Sequence, residues 1–246
     1  MWFTTSWDDG HPLDRKLADL LARHGIAGTF YCPLQNAEGL PVMDAADLRA
    51  LDASGGAFEI GSHTRDHAYA SRLTTADWER QVVQGKQQLE DRLGHPVAGF
   101  CYPGGQCPPG AGRLVAAAGF AYARTTVNLR NDCGNDPFSV PTSLQCYPHR
   151  RTVLLRNYVR HGAWRRRAPL AAACLASAGL ETRLHRALAA CLQSGGVFHL
   201  WGHSWEIEAL ALWPVLDRFL ATVAARVPAA ARLTNAGVLH RLGLWA

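Results

Sequence analysis

Short apolar runs alternate with longer amphipathic stretches along most of the chain. Seven runs have the length and composition of buried strands, at residues 2–7, 27–32, 57–61, 97–102, 120–125, 196–201 and 231–234. Between them, apolar residues recur every three or four positions, as Leu13, Leu17 and Leu20 do, which is typical of helices buried on one face. Strands that alternate with such helices predict right-handed crossovers and a mainly parallel sheet.

Capping residues mark several of the expected helix ends. Asp44 precedes one helix, and Thr74 or Thr75 opens a long one, because Asp and Thr side chains accept hydrogen bonds from free backbone N–H groups. A turn-rich segment over 131–143 leads into two helical stretches. A helix over about 205–225 and a closing helix complete the expected elements.

No stretch rich in glycine, serine or proline is long enough to separate domains. We therefore predict a single α/β domain over residues 1–246, built as a barrel or an open sheet. In barrels of this kind the chemistry lies at the carboxyl ends of the strands.

The composition excludes several classes of protein. With 48% hydrophobic and 18% charged residues, the chain suits a folded globular protein. It has no run of about 18 apolar residues, and its start lacks the basic and apolar regions of a secretory signal. We therefore expect a cytoplasmic location. The seven cysteines are an odd number without a CxxC pair, which predicts buried thiols rather than disulfides or a cysteine zinc site.

Polar clusters follow four of the predicted strands and are expected to meet at one rim. Asp8 and Asp9 end the first strand, and His63 and His67 follow the third. Residues four apart share a helical face, so both imidazoles are expected to reach one ion. Two histidines and one carboxylate leave positions open for water and substrate, as catalytic zinc requires, while the second carboxylate accepts a proton.

The motifs TSWDDG (5–10), HTRDH (63–67), YPGG (102–105) and WGH (201–203), in this order, resemble those of the polysaccharide deacetylase family. This group of metal-dependent carbohydrate esterases, carbohydrate esterase family 4, includes chitin, peptidoglycan and nodulation-factor deacetylases. The resemblance covers roughly residues 3–205. It implies a deformed (β/α) barrel, often with seven strands, and removal of an N-acetyl group from an amino sugar.

Each motif implies a role for its residues. The resemblance makes Asp8 the general base and His203 the general acid, and it makes three residues the metal ligands: Asp9, His63 and His67. Zinc is the expected metal, with cobalt, nickel and manganese as alternatives. The segment after the fourth strand implies one side of a substrate groove, in which the N–H of Gly104 helps to hold the oxyanion. The remaining residues expected at the substrate are Tyr102, Pro103 and Trp201.

Two positions depart from the family pattern. Cys101 stands where the family has an arginine that orients the catalytic aspartate. The fourth motif, an aspartate near a tryptophan, has no clear counterpart, and Asp132 and Asp136 are the candidates for it. These departures leave two alternatives open: hydrolysis of another amide, such as an N-formyl sugar or a cyclic ureide, and a non-catalytic sugar-binding domain that retains the metal.

A basic stretch over 149–169 contains seven arginines. It is either a solvated helix or a surface for acidic headgroups or a phosphate-bearing substrate. The expected partners are therefore an N-acetylated sugar, free or linked to a lipid or nucleotide, and a peripheral membrane contact through this stretch. Nucleic acid is not expected, because no binding motif accompanies the charge.

Overall fold

Seven parallel strands form one sheet, in the order β5-β4-β3-β2-β1-β7-β6. The computed structural model describes residues 1–245. The strands are Trp2–Asp8 (β1), Gly28–Cys32 (β2), Phe58–Ser62 (β3), Gly99–Cys101 (β4), Tyr122–Arg124 (β5), Leu144–Gln145 (β6) and Val197–Gly202 (β7). The predicted α/β fold, a deformed barrel with about seven mainly parallel strands, is confirmed.

Helices cover the outside of the sheet, and their starts agree with the capping signals. Asp44 accepts hydrogen bonds from two backbone N–H groups, and Thr74 accepts one. The helices are Asp14–Arg23 (α1), Ala45–Asp52 (α2), Thr75–Leu93 (α3), Ala111–Ala117 (α4), Arg151–Arg160 (α5), Trp164–Leu175 (α6), Leu180–Ser194 (α7), Ser204–Ala209 (α8), Trp213–Arg226 (α9) and Asn235–Arg241 (α10). No helix within residues 1–245 is long and apolar enough to cross a membrane.

An irregular segment over 140–146 links the two edges of the sheet. Its Val140 N–H donates to the carbonyl of Ala123 in β5 (2.9 Å), and its Ser143 N–H donates to the carbonyl of His199 in β7 (2.9 Å). The segment contains β6, so these bonds join the β5 edge of the sheet to the edge formed by β7 and β6, and the carboxyl ends of the strands surround one opening.

One predicted strand was wrong. Residues 231–234 make only a single bridge to the sheet, between Phe3 and Arg232, because the chain then turns at the Thr234 cap into α10. The seventh strand is instead Leu144–Gln145. Two residues are too few to show an alternating pattern, so the sequence gives no signal for it.

Two helical predictions were also wrong. The helix expected over about 205–225 is divided into α8 and α9, because Ala211 has a φ of 51° and Pro214 lies in the first turn of α9. The two stretches expected before β7 are three helices, α5 to α7. Gly162 and Ala163, with φ values of 62° and 51°, separate α5 from α6.

A buried polar network occupies the barrel interior on the side of α10. Glu59 accepts hydrogen bonds from the hydroxyls of Tyr122 (2.7 Å) and Thr29 (2.9 Å), and Asn235 donates to the Tyr31 hydroxyl (2.9 Å). Burial raises the pKa of Glu59. This network and α10 close one end of the barrel, so the opening lies at the opposite end, where the strands finish.

Candidate active site

Asp8 and Asp9 lie at the carboxyl end of β1, and both are buried. Asp9 leaves the strand with a φ of 77°, in the left-handed region that is unfavourable for residues other than glycine. The two carboxylates consequently have different partners. Asp8 pairs with Arg124, whereas Asp9 faces His63 and His67. The two adjacent carboxylates can therefore lie side by side, because Asp8 pairs with a guanidinium and Asp9 faces two imidazoles.

His63 and His67 reach Asp9 from a loop, and the helical turn expected from their spacing was wrong. Thr64 and His67 have φ values of 65° and 56°, which no right-handed helix contains. The Thr64 hydroxyl accepts a hydrogen bond from the N–H of Ala68 (2.8 Å) and closes the loop. The imidazoles still converge: their Nε2 atoms lie 3.6 Å (His63) and 3.1 Å (His67) from Oδ1 of Asp9.

These three residues fit a divalent metal. Their ligand atoms all lie within 4.8 Å of one another, and Oδ1 of Asp9 is buried without a hydrogen-bond partner among the described residues. Ligands at zinc's usual bond lengths lie about 3.3 Å apart in a tetrahedral site. The separations of 3.1 and 3.6 Å bracket that value.

The protonation states also suit a metal, which binds deprotonated ligands. Burial raises the pKa of Asp9, but the nearby His67 and the charges of His203 and His63 outweigh it and lower the pKa well below its usual value. Burial lowers the pKa of His63 to about 4. The neutral ring of His63 donates from Nδ1 to the carbonyl of Cys101 (2.8 Å), which turns Nε2 towards Asp9.

A second donor group, made by Asp8, His63 and Cys101, is equally close. Burial raises the pKa of the Cys101 thiol, so the sulfur keeps its proton. Asp8 is already paired with Arg124. The set of Asp9, His63 and His67 is therefore the better metal site.

Arg124, the last residue of β5, is a site residue that the sequence analysis missed. Its guanidinium forms a buried ion pair with Asp8. It also lies between two aromatic rings, 5.3 Å from the centroid of Tyr31 and 4.9 Å from that of Trp201. The Cys101 sulfur lies 3.8 Å from Asp8. Arg124 in β5 thus pairs with Asp8, whereas Cys101 lies in the neighbouring strand β4.

Glu206 is the second missed residue. His203 follows β7, and its Nδ1 lies 2.6 Å from Oε2 of Glu206 in α8. Burial lowers the pKa of His203, but the hydrogen bond of Glu206 and the charges of Asp9 and Asp8 outweigh it and raise the pKa to about 9. The sequence does contain both residues, as an arginine next to the end of the run FAYART (120–125) and a glutamate three residues after His203.

A cleft of about 450 Å³ opens over these groups. Eight predicted or newly found site residues line it: Asp8, Asp9, His63, His67, Gly104, Trp201, His203 and Trp205. The Trp205 indole N–H donates to Oδ2 of Asp9 (2.9 Å), so this ring is fixed beside the metal site. Further polar side chains, Asn128, Gln145, His149 and Arg156, line the other wall.

Several predicted residues lie elsewhere. Tyr102 is fully buried, stacks on Trp78 and donates to the carbonyl of Phe138, and neither Tyr102 nor Pro103 lines the cleft. Their expected contact with substrate stays a prediction.

Asp132 and Asp136, the candidates for the fourth motif, lie away from the cleft. Asp132 pairs with Arg130, and Asp136 caps a short 3₁₀ helix. Neither lines the cleft, and the carboxylate that meets His203 belongs to Glu206.

Comparison with known proteins supports the motif assignment. The sequence model of the polysaccharide deacetylase family matches residues 3–123. The resemblance to the polysaccharide deacetylase family is therefore confirmed. The matched residues include the Asp9, His63 and His67 donor set and Gly104, and the match ends one residue before Arg124. No curated protein matches the chain.

Solved structures share the fold at low sequence identity. A candidate polysaccharide deacetylase from Mycobacterium smegmatis aligns with a TM-score of 0.67 and 16% identity, over 98% of this chain and 90% of that one. The Xyl-CE4 domain of a multidomain xylanase from the hindgut metagenome of Trinervitermes trinervoides aligns with a TM-score of 0.59 and 12% identity, over 98% of this chain and 91% of that one. A family 4 carbohydrate esterase from Streptomyces lividans, solved with acetate, aligns with a TM-score of 0.54 and 16% identity, over 91% of this chain and 89% of that one.

The alignment with some solved structures covers less than two thirds of their length. The chain spans 45% of a polysaccharide deacetylase from Bacillus cereus and 62% of a deacetylase from Streptococcus pyogenes.

Proposed function

We propose that this chain is a metal-dependent N-deacetylase of an acetylated amino sugar, present as a polysaccharide, an oligosaccharide or a conjugate. The observation that carries the proposal is one cleft in which a metal-ligand set, a paired carboxylate and a protonated histidine face each other. Hydrolysis of an amide needs these three functions: an electrophilic centre, a base and an acid.

Asp9, His63 and His67 would hold the metal, for which zinc is proposed. When bound, such a metal lowers the pKa of water and polarises an amide carbonyl. Trp205 donates to the second oxygen of Asp9 (2.9 Å) and leaves Oδ1 for the metal. This second contact fixes which carboxylate oxygen serves as the ligand.

Asp8 accepts the proton of the attacking water in this proposal. Its Oδ1 is held by Arg124, which fixes the orientation of the carboxylate. The alternative of a non-catalytic binder arose from the cysteine at position 101. Because Asp8 has an arginine partner in Arg124, the cysteine at position 101 does not by itself argue against catalysis.

His203 donates a proton to the leaving amine. With a pKa of about 9, it is protonated at neutral pH, as a general acid must be before the step. Gly104 lies on the wall of the same cleft, where its backbone N–H is proposed to stabilise the oxyanion.

Acetate release tests the proposal. Incubation with N-acetylated chito-oligosaccharides and zinc should release acetate and free amino groups, and Asp8→Asn should lower kcat by about 10²–10⁴-fold. A matched panel of N-formyl sugars and cyclic ureides decides whether another amide is the better substrate. If zinc binds, Asp8→Asn folds, and the unaltered protein releases no product from any of these compounds, the proposed reaction is wrong.

A further inference from the structure

The hairpin of α5 and α6 carries the excess positive charge of the chain. No Asp or Glu occurs between Asp136 and Glu181, whereas this stretch contains seven arginines. The other basic residues, 18 of 25, are fewer than the 20 acidic residues of the whole chain. A strongly basic patch therefore lies on an otherwise slightly acidic protein.

Large apolar side chains protrude from the same hairpin. Leu155 and Val159, one helical turn apart, are 51% and 58% exposed, and Trp164 at the start of α6 is 57% exposed. Only three other large hydrophobic side chains are exposed in residues 1–245. These three residues and the exposed arginines around them form the α5–α6 surface. The arginines are Arg150, Arg151, Arg156, Arg160, Arg165 and Arg166.

Two side-chain hydrogen bonds connect the corner between the two helices. The Trp164 indole N–H donates to the carbonyl of Val159 (3.2 Å), and the Tyr158 hydroxyl donates to the carbonyl of Trp164 (3.0 Å). The indole therefore satisfies its polar atom inside the corner and presents its apolar ring to solvent.

Arg167 is a support for this corner and not part of its charged face. It is fully buried, and its guanidinium donates to the carbonyls of Asn128, Tyr158 and Gly162. The expectation that the whole basic stretch over 149–169 faces an anion is therefore wrong at this position.

The surface adjoins the candidate cleft. Arg156 lines the cleft on one side and, with Leu155, Val159 and Arg160, a shallow apolar groove on the other. None of the exposed arginines forms an ion pair with a described residue. Their charge is thus free to act on a partner.

We propose that the α5–α6 surface docks on an anionic lipid bilayer. Arginines at the level of the headgroups and an apolar tip that enters the acyl boundary are the two features of an interfacial anchor. A second copy of the chain would bring arginines against arginines. A nucleic acid would meet the arginines but leave Leu155, Val159 and Trp164 in water. Docking places the cleft beside the lipid surface and does not depend on the proposed reaction.

Vesicle sedimentation tests the docking. The full chain should bind vesicles of phosphatidylcholine mixed with phosphatidylglycerol, should bind pure phosphatidylcholine only weakly, and should be released by salt. Each arginine near such a surface contributes roughly a fivefold change in affinity, so R165Q/R166Q should weaken binding by about 25-fold. L155Q/V159Q should weaken it as well, because the apolar tip is lost.

The matched control is R226Q/R241Q. This pair removes the same charge from exposed positions in α9 and α10, at the opposite end of the barrel, and should leave vesicle binding unchanged. Thermal unfolding shows whether each variant is folded. The proposal is overturned if the control and R165Q/R166Q lose vesicle binding equally. It is also overturned if L155Q/V159Q binds vesicles as well as the unaltered chain does. Tighter binding to duplex DNA than to the anionic vesicles also overturns it.

Discussion

Arg124 at the end of β5 and Asp8 at the end of β1 form a buried ion pair across the barrel, although three strands separate them in the sheet. The pair fixes the carboxylate proposed as the base. It also fixes the arginine, whose other contacts are the faces of Tyr31 and Trp201.

Replacing Arg124 should affect activity more than metal binding. Arg124→Lys keeps the charge but loses the planar group between the two rings, and a displaced base is expected to lower kcat by about 10²-fold. Arg124→Met leaves Asp8 buried and unpaired, and should lower the free energy of unfolding by about 3–5 kcal/mol. Kinetics and denaturant unfolding measure the two effects.

The double variant C101R/R124K is the companion experiment, since it returns an arginine to the position that the family pattern uses. A partial recovery of kcat is expected. If Arg124→Lys retains full activity, Arg124 does not position the base.

Glu206 should set the alkaline limit of the reaction. His203 must be protonated to act as an acid, so activity falls as pH rises through its pKa, at about 9. Glu206→Gln removes a carboxylate that raises this pKa, and the midpoint of the fall in kcat should move down by about one pH unit or more. The pH profile of kcat measures this, and Glu208→Gln, which alters an exposed acid two residues on, should leave the midpoint in place.

Metal removal should abolish acetate release without unfolding the protein. Chelator-treated protein should regain activity on addition of zinc.

His67→Ala should weaken zinc binding by at least about 10²-fold in calorimetry, because one of three ligands is lost. The exposed His240, in α10, supplies the control His240→Ala. Equal zinc affinity in the two variants would exclude His67 as a ligand.

Gly104 is expected to tolerate no side chain. Its φ is 60°, and a Cβ there would lie 2.7 Å from the Tyr69 ring, so Gly104→Ala must shift either that ring or the backbone that carries the N–H. Loss of an oxyanion donor should lower kcat by about 10²–10³-fold. Gly94→Ala is the control for backbone strain, because Gly94 has a φ of 81° but no atom within 4 Å of a Cβ. Similar kcat values in both variants would remove Gly104 from the proposed mechanism.

His199 should make the fold sensitive to acid. It is buried beside Ser6 (2.8 Å), and burial together with the charge of Arg124 lowers its pKa to about 3, below the value of 6.5 expected in the unfolded chain. The unfolded state therefore binds more protons between these values, and stability falls as pH decreases below 6.5. The loss is up to about 1.4 kcal/mol per pH unit.

Denaturant unfolding at pH 7 and pH 5 measures this loss. The difference between the two pH values should be smaller in His199→Gln than in the unaltered protein. An unchanged difference would show that His199 does not titrate on unfolding.

The sequence predicted those parts of the site that are local. Asp8 and Asp9 are adjacent, and His63 and His67 lie in one short motif, so their roles follow from spacing and resemblance. Arg124 could not be assigned in this way, because its partner is 116 residues away and only the curvature of the barrel brings them together. The loop geometry of the two histidines was missed because i, i+4 spacing is equally compatible with a helix and with a loop that contains left-handed residues.

The order of these residues along the chain has a consequence for biosynthesis. The three candidate ligands are complete by residue 67, whereas Arg124 and His203 emerge much later from the ribosome. The candidate ligands and Asp8 are thus synthesised long before His203 and before Arg124, which pairs with Asp8. A fragment that ends before Arg124 would therefore contain the candidate ligands without the residue that pairs with the proposed base.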